Sequence, residues 1–188
     1  MRKEPLKSNK LHEHPEVVAL FTRANWMPFF ERIHGYDEEV TEEFFMSLRP
    51  HSKTHAIVNF RGLTLELTPD FISRIIGLPL GLPWSKEAES LGQVAKKTFF
   101  QPEEHPVEDK NGVKRTSLPP PWSEVNYHIM KYVTCEGRFV IIYCYHFRLL
   151  HELRYGMDLP PVRKLSLPYL LLQYLIECGT KLNAGVPD

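Results

Sequence analysis

The sequence predicts a mainly α fold: a compact helical domain with one small β-hairpin at about residues 55–67 and a long loop or insert in the middle. Apolar residues recur at helical spacing in both halves of the chain, and apolar and polar residues alternate strictly at 63–67. A charged, proline-rich stretch with little apolar periodicity separates the two halves. With 188 residues, 43% of them hydrophobic, the chain is long enough for one domain with a sizeable core.

Composition restricts the class of protein. The 23 basic and 23 acidic residues give a formal net charge of zero, so no overall field attracts nucleic acid or an anionic membrane. Cys135, Cys144 and Cys178 are odd in number and far apart, which suits reduced thiols better than a disulfide framework. The N-terminus lacks a signal-peptide pattern, and no window reaches the ~18 apolar residues of a membrane span. We therefore expect a soluble intracellular protein, nuclear or cytoplasmic, without membrane contact.

Residues 1–14 are predicted to be a disordered, solvated tail, because they are rich in charge and have no periodic apolar face. Residues 15–84 then form the N-terminal subregion. Its first helix begins near Pro15 and has an apolar face made of Val17, Leu20, Phe21 and Ala24. Pro28 interrupts the pattern, so "MPFFERIHG" is either a second short helix or a kinked continuation that ends at Gly35.

A further helix is predicted within "DEEVTEEFFMSLRP". Asp37 is a suitable N-cap, and acidic residues follow in the first turn, where the helix dipole favours them. Val40, Phe44 and Leu48 are spaced four apart, and Pro50 is expected to end the helix.

The hairpin is predicted from residues 55–60 and 63–67. In the second strand Leu63, Leu65 and Leu67 alternate with polar residues, which is typical of a half-buried strand. Arg61 and Gly62 are the predicted turn. Glycine suits the positive φ of a two-residue loop. Because arginine suits it less well, a slightly longer loop is the alternative.

The helix after the hairpin has a clear start and a clear end. Thr68 is a suitable N-cap, Pro69 fits the first turn and Asp70 faces the positive end of the dipole. Gly77 ends the helix, and "GLPLGLPW" is too rich in Gly and Pro to continue a regular element. The predicted buried face consists of Phe71, Ile72, Ile75 and Ile76.

Three segments, "RANWMPFFERI", "VTEEFFMSLRP" and "VNFRGLTLELTPDFISRIIGLP", together resemble the plant transposon protein domain of retroelement-derived plant proteins. A more distant likeness is to the plant mobile domain. The likeness resumes at "PPPWSEVNYHIM" and continues to about Thr180, while the segment after Trp84 and "CEGRFVIIYCYHF" depart from the family pattern. That family carries no assigned catalytic residues, so the resemblance implies nothing enzymatic. The matching positions are Arg23, Trp26, Val40, Phe44, Phe45, Leu48, Val58, Arg61, Gly62, Thr68, Ile72 and 77–79.

Residues 85–121 are predicted to be a long surface loop or partly disordered insert, since they are charged and have little apolar periodicity. The simpler interpretation is a connector excluded from the core. The alternative is a partner-binding segment that uses Phe99, Phe100 and the polyproline run.

Residues 122–181 are predicted to form the C-terminal helical subregion of the same domain. "WSEVNYHIMKYV" is a helix with Ser123 as its cap and Gly137 at its end. "RFVIIYCYHFRLLHELRYG" begins with residues that also suit a strand, but its length favours a buried helix. The last helix is predicted to be capped by Ser166 and closed by Gly179.

Catalytic patterns are missing from the sequence. The five aspartates are dispersed among helix starts, the insert, a linker and the C-terminus, which argues against a two-metal nuclease site. Cys144, His146 and His151 lack the short spacing of a zinc site, and they are interpreted as a core cysteine with partly exposed histidines. No nucleophile elbow or phosphate-binding loop is present. We expect no enzymatic activity, no cofactor and no metal.

Nucleic-acid binding is the alternative function. Arg148, His151, Arg154 and Tyr155 have helical spacing and form a basic stripe with an aromatic edge. Glu152 lies within this stripe, however, and the zero net charge is unlike that of most duplex-binding proteins.

The sequence therefore favours an interaction or assembly module that contacts protein partners, whose identity and oligomeric state it does not specify. The candidate contact residues are the apolar residues of the Gly/Pro loop and the aromatic pair of the insert. For Trp84, covering the hairpin as part of the core is the open alternative. These residues are Leu80, Leu82, Trp84, Phe99 and Phe100.

Overall fold

The computed structural model describes residues 9–33, 37–83, 95–100, 108–109, 112–134, 141–156, 158–160 and 163–184. Its helices are α1 (Asn9–His12), α2 (Pro15–Arg23), α3 (Met27–Glu31), α4 (Glu38–Ser47), α5 (Pro69–Ile76), α6 (Trp122–Tyr132), α7 (Cys144–Gly156) and α8 (Leu167–Asn183). Its strands are β1 (Leu48–Ser52), β2 (His55–Phe60), β3 (Leu63–Leu67), β4 (Glu108–Asp109), β5 (Gly112–Lys114) and β6 (Ile141–Ile142). The strands pair antiparallel in two sheets, ordered β1-β2-β3 and β4-β5-β6. The described chain is thus mainly helical, as predicted.

The ordered N-terminal region begins earlier than predicted. Leu11 lies in α1 and is buried in the main core, because α1 packs against α2. The prediction that residues 1–14 form a disordered tail is therefore wrong for α1. Residues 1–8 lie outside the described residues. α2 is confirmed, and Pro28 lies in the first turn of α3, which is a separate short helix. The predicted end of that helix, Gly35, also lies outside the described residues.

The predicted hairpin is part of a three-stranded sheet. Asp37 caps α4 as predicted, with its carboxylate accepting a hydrogen bond from the N–H of Val40 at 3.1 Å. Pro50 does not end this helix, because Leu48 is already extended and begins β1, where it lies opposite Val58. A proline is tolerated here since β1 is an edge strand.

The turn between β2 and β3 has two residues. Arg61 and Gly62 both have positive φ, 48° and 77°, and Phe60 lies opposite Leu63. Positive φ at both central residues is typical of a type I′ turn, whose twist matches that of the two flanking strands. The predicted half-burial of β3 is correct at Leu67, which is buried, and wrong at Leu63, which is 63% exposed beside the turn.

α5 has the predicted boundaries. The hydroxyl oxygen of Thr68 accepts a hydrogen bond from the N–H of Phe71 at 3.2 Å, and Gly77 ends the helix with φ 70°. Ile72 is buried as predicted, but Ile75 is 58% exposed. The buried face of α5 is therefore narrower than its apolar sequence suggests.

Replacing Thr68 by alanine is expected to lower the free energy of unfolding by about 1 kcal/mol, because an N–H at the start of α5 loses its partner. Urea denaturation followed by circular dichroism measures this loss. Thr68→Ser keeps the hydroxyl and is expected to lose less. Equal losses for the two variants would contradict a capping role.

The C-terminal elements differ from the prediction at their ends. Ser123 lies inside α6, which starts without a side-chain cap, and the predicted end at Gly137 lies outside the described residues. Ile141–Ile142 is strand β6 rather than helix, because these β-branched residues pair with β5. Ser166 caps α8 as predicted, by accepting a hydrogen bond from the N–H of Tyr169 at 3.4 Å.

α8 joins two core clusters. Leu170 and Tyr174 pack in the main cluster with α2, α3, α6 and α7, whereas Leu172 packs in a second cluster with the β1-β2-β3 sheet and α5. Gly179 does not close α8, which continues to Asn183. A Cβ at Gly179 would lie 2.8 Å from Cδ2 of Leu48, so glycine here permits close packing of α8 on β1.

Parts of the predicted insert belong to the core. Ala95, Phe99, Val113 and Leu118 are all buried in the main cluster. The interpretation of 85–121 as a connector excluded from the core is therefore wrong at these positions, because its scattered apolar side chains pack between the helices. Residues 84–94 and 101–107 lie outside the described residues.

Candidate contact surface around Leu82

The loop after α5 is held in place at Leu82, whose side chain is 52% exposed. The N–H of Leu82 donates to the carbonyl of Lys164 at 2.7 Å, and its own carbonyl accepts from the N–H of Ser166 at 3.0 Å. Leu80 is half-buried in the same loop, and Trp84 lies outside the described residues. The loop thus presents an apolar side chain from a fixed backbone although it has no regular secondary structure.

The aromatic pair of the insert is not a free contact site. Phe99 is 4% exposed, and its ring centroid lies 5.4 Å from that of Trp122 and 6.1 Å from that of Phe147. Phe100 is half-buried against Phe147, at 5.9 Å. The prediction that Phe99 contacts a partner is wrong, because the ring fills space between α6 and α7.

Charged side chains connect the end of α2 to the chain between α7 and α8. Arg23 Nη2 donates to both carboxylate oxygens of Asp158, at 2.6 and 2.8 Å. Lys164 Nζ donates to the backbone carbonyl of Arg23. The ion-paired side chains are 55% and 80% exposed, so we expect this pair to orient the chain more than to stabilise the fold.

A depression lies beside this junction. It is open to solvent, encloses only about 10 Å³, which is room for about one water molecule, and is lined in part by Trp26, Leu78, Pro79, Lys164 and Leu165. Small-molecule sites usually enclose about 300–1,000 Å³ and bury most of the ligand. This depression is therefore too small and too open to enclose a small molecule.

Exposed apolar side chains lie on the segments that meet here. Besides Leu82, Tyr155 is 58% exposed at the end of α7, and Leu159 is 38% exposed just after it. Gly156 and Leu165 line a second depression, so the end of α7 lies beside the segment that pairs with Leu82. We call Leu80, Leu82 and the depression lined by Trp26 the Leu82 surface.

The proposed basic stripe on α7 is partly neutralised. Arg148 Nε lies 3.0 Å from Oε1 of Glu152, and the arginine side chain is 19% exposed. Burial lowers the pKa of His151, with the charge of Arg154 adding to the effect and that of Glu152 opposing it. At neutral pH, His151 therefore contributes little positive charge to this face.

Arg154 holds the insert against the helices. Its Nη1 donates to the carbonyl of Thr98 at 3.2 Å, and its guanidinium carbon lies 5.6 Å from the ring centroid of Phe99 and 5.9 Å from that of Trp122. The ring of Tyr155 lies 5.7 Å away from the same carbon. Contacts of this kind are cation–π interactions. Arg154 is thus engaged within the fold.

Within the described part of the chain, no group of three or more His, Cys, Asp or Glu residues is placed to hold a metal ion. None of the helices described there is both long and apolar enough to cross a membrane. Comparisons with protein-family models, curated proteins and solved structures found no match. The resemblance to the plant transposon protein domain stays a prediction.

Sequence reasoning located the exposed loop but missed the residues that fix it. Arg23 and Asp158 are 135 positions apart, and Asp158 lies in a segment that reads as a linker. Lys164 gives no local signal either, because its partner is a backbone carbonyl at the end of a distant helix.

Proposed function

We propose that this chain is a non-enzymatic interaction and assembly module of a plant transposable-element-derived protein, acting inside the cell through protein–protein contacts. The resemblance described above supports the origin. The Leu82 surface supports the contact role, because it presents an exposed apolar side chain beside a shallow depression.

The observation that carries this proposal is the exposed Leu82 side chain on an anchored backbone. Hydrogen bonds to Lys164 and Ser166 hold the loop before any partner arrives. A pre-ordered contact residue loses less conformational entropy on binding, so more of the contact energy contributes to affinity.

Nucleic-acid binding through Arg148, His151 and Arg154 is the less supported function. Nucleic-acid binding would need the positive charges of Arg148 and Arg154. Arg148 is already paired with Glu152, and Arg154 already makes cation–π contacts within the fold. Phosphate contact depends on available positive charge. The protein-contact proposal is therefore preferred.

Replacing Leu82 by glutamine is expected to reduce partner recovery in affinity purification from the native tissue by about tenfold, since one apolar anchor is removed. The fold is expected to persist because both anchoring hydrogen bonds come from the backbone. Quantitative mass spectrometry of the recovered proteins, with a thermal melt of each variant, measures both effects.

Leu182→Gln is the matched control, because Leu182 is 57% exposed but lies near the end of α8. Partners that the chain contacts through the Leu82 surface are expected to be lost with Leu82→Gln and kept with Leu182→Gln. Equal recovery with both variants would contradict the proposed surface.

A further inference from the structure

The two edge strands of the β1-β2-β3 sheet differ in how well they are protected against pairing with a further strand. β1 contains Pro50, and its register with β2 is irregular between Pro50 and Ser52. Prolines and irregular pairing protect sheet edges from adding another strand. β3 contains neither feature, and it pairs with β2 in unbroken register from Leu63 to Leu67.

The backbone of β3 has groups directed away from the sheet. In a two-residue hairpin the residues that flank the turn, here Phe60 and Leu63, form a hydrogen-bonded pair. Along the strands, hydrogen-bonded pairs then alternate with pairs that share no hydrogen bond. The N–H and C=O groups of Thr64 and Glu66 therefore point away from β2. Both residues are exposed, and among the described residues no hydrogen bond reaches these backbone groups.

The exposed edge also carries an uncovered apolar side chain. Leu63 is 63% exposed, although it lies on the same face as the half-buried Leu65 and the buried Leu67. An unprotected edge strand with an apolar face is a template for strand addition.

The sequence of β3, Leu-Thr-Leu-Glu-Leu, is nearly symmetric about Leu65. When two copies pair antiparallel about this residue, Leu63 of one copy lies opposite Leu67 of the second copy. Thr64 then lies opposite Glu66 of the second copy, and these outward-directed residues form the hydrogen-bonded pairs. The two Glu66 carboxylates do not face each other directly. The exposed edge thus matches itself in hydrogen bonding and in the pattern of apolar residues, and no like charges lie directly opposite each other.

We propose that this chain self-associates through β3, with the β3 strands of two copies pairing antiparallel about Leu65 to form a continuous six-stranded sheet. The strand's self-complementarity favours a second copy over an unrelated extended peptide. The proposal is separate from the Leu82 surface, and it names a different occupant on a different part of the chain.

The test measures the mass of the 188-residue chain by light scattering and sedimentation equilibrium over a range of concentrations. The monomer mass is 22.0 kDa, and the mass is expected to rise toward twice this value with concentration. Thr64→Glu places like charges opposite Glu66 at two symmetric positions, and we expect it to weaken self-association by about tenfold.

Charge reversal tests the register. Thr64→Lys places a positive charge opposite Glu66 and is expected to preserve or strengthen self-association. The double variant Thr64→Glu with Glu66→Lys places opposite charges across the two strands, so it is expected to restore the self-association that Thr64→Glu weakens. Thr64→Pro removes an outward N–H without removing a β2–β3 hydrogen bond, so it is expected to abolish self-association while a thermal melt stays cooperative.

A chain that stays monomeric at every concentration would overturn the proposal. So would a dimer that Thr64→Glu and Thr64→Pro leave unchanged, because its interface would then lie elsewhere. Leu82→Gln serves as the control and is expected to leave self-association unchanged, which separates this result from the outcome for the Leu82 surface.

Discussion

Replacing Trp26 by alanine is expected to lower the free energy of unfolding by about 3–5 kcal/mol, the usual cost of removing a large aromatic side chain from a core. Trp26 is 2% exposed, and its ring lies nearly parallel to that of Phe21, with 6.2 Å between centroids and 9° between planes. Since the whole stability of a domain is about 5–15 kcal/mol, the variant is expected to unfold at a much lower urea concentration.

The end of α2 explains why Trp26 occupies this position. Asn25 has a positive φ of 63°. The N–H of Trp26 donates to the carbonyl of Phe21 at 2.8 Å, and that of Asn25 donates to the carbonyl of Thr22 at 2.9 Å. These are the hydrogen bonds of a Schellman motif, which is commonly accompanied by an apolar contact across the helix end. The rings of Trp26 and Phe21 form this contact, so alanine removes core volume and weakens the helix end together.

Urea denaturation followed by far-ultraviolet circular dichroism measures the effect. Trp26→Phe is the matched control, since it keeps an aromatic ring beside Phe21 and is expected to lose less stability than alanine. If the alanine variant does not fold at all, Trp26→Phe and Trp26→Leu still compare an aromatic with an aliphatic side chain. A loss of about 0.5 kcal/mol or less, typical of surface positions, would contradict the core role of Trp26.

Local signals predict much of residues 37–77. Asp37 and Thr68 cap helices through N–H groups three residues away, and Gly77 ends α5 with a positive φ. The turn at Gly62 is similarly determined by the few residues around it. Such features depend on neighbours in the chain, so they are visible in the sequence without knowledge of tertiary packing.

Contacts between distant segments are not visible in this way. β1 includes Pro50 and shows no apolar alternation, and it forms because its backbone pairs with β2. Phe99 lies in a charged segment, yet the space between α6 and α7 buries it. The candidate site shows the same division. The Gly- and Pro-rich sequence after α5 pointed to Leu82, whereas the contact between Arg23 and Asp158 depends on how two segments 135 positions apart meet.

Acidification is expected to destabilise the chain through His128. This residue lies on α6 and is 2% exposed, and its ring stacks on Tyr132 with 5.8 Å between centroids. Among the described residues, no hydrogen bond reaches its Nδ1. Burial is the largest cause that lowers the pKa of His128 from 6.5 to about 4. Charged neighbours have smaller effects; Glu124 raises the pKa, and the groups that lower it are His14, Lys131 and Arg115.

The direction of the effect follows from the two pKa values of His128. Well above pH 6.5 the imidazole is neutral in both the folded and the unfolded chain, so its full contribution to stability is present. As the pH falls below about 6.5, the unfolded chain binds a proton that the folded chain resists. Stability therefore decreases from about pH 6.5 to about pH 4, and below that value this contribution stops changing.

Urea titrations at a series of pH values measure this loss against His128→Phe, which keeps an aromatic ring beside Tyr132 and cannot bind a proton. A pKa difference of about 2.5 units corresponds to about 3 kcal/mol. We expect the chain to lose about that much more stability than the variant between about pH 7 and pH 4. Carboxylates titrate in both proteins, so the difference between the two curves isolates the histidine. Parallel curves would contradict the prediction, because His128 would then bind its proton equally well in the folded and the unfolded chain.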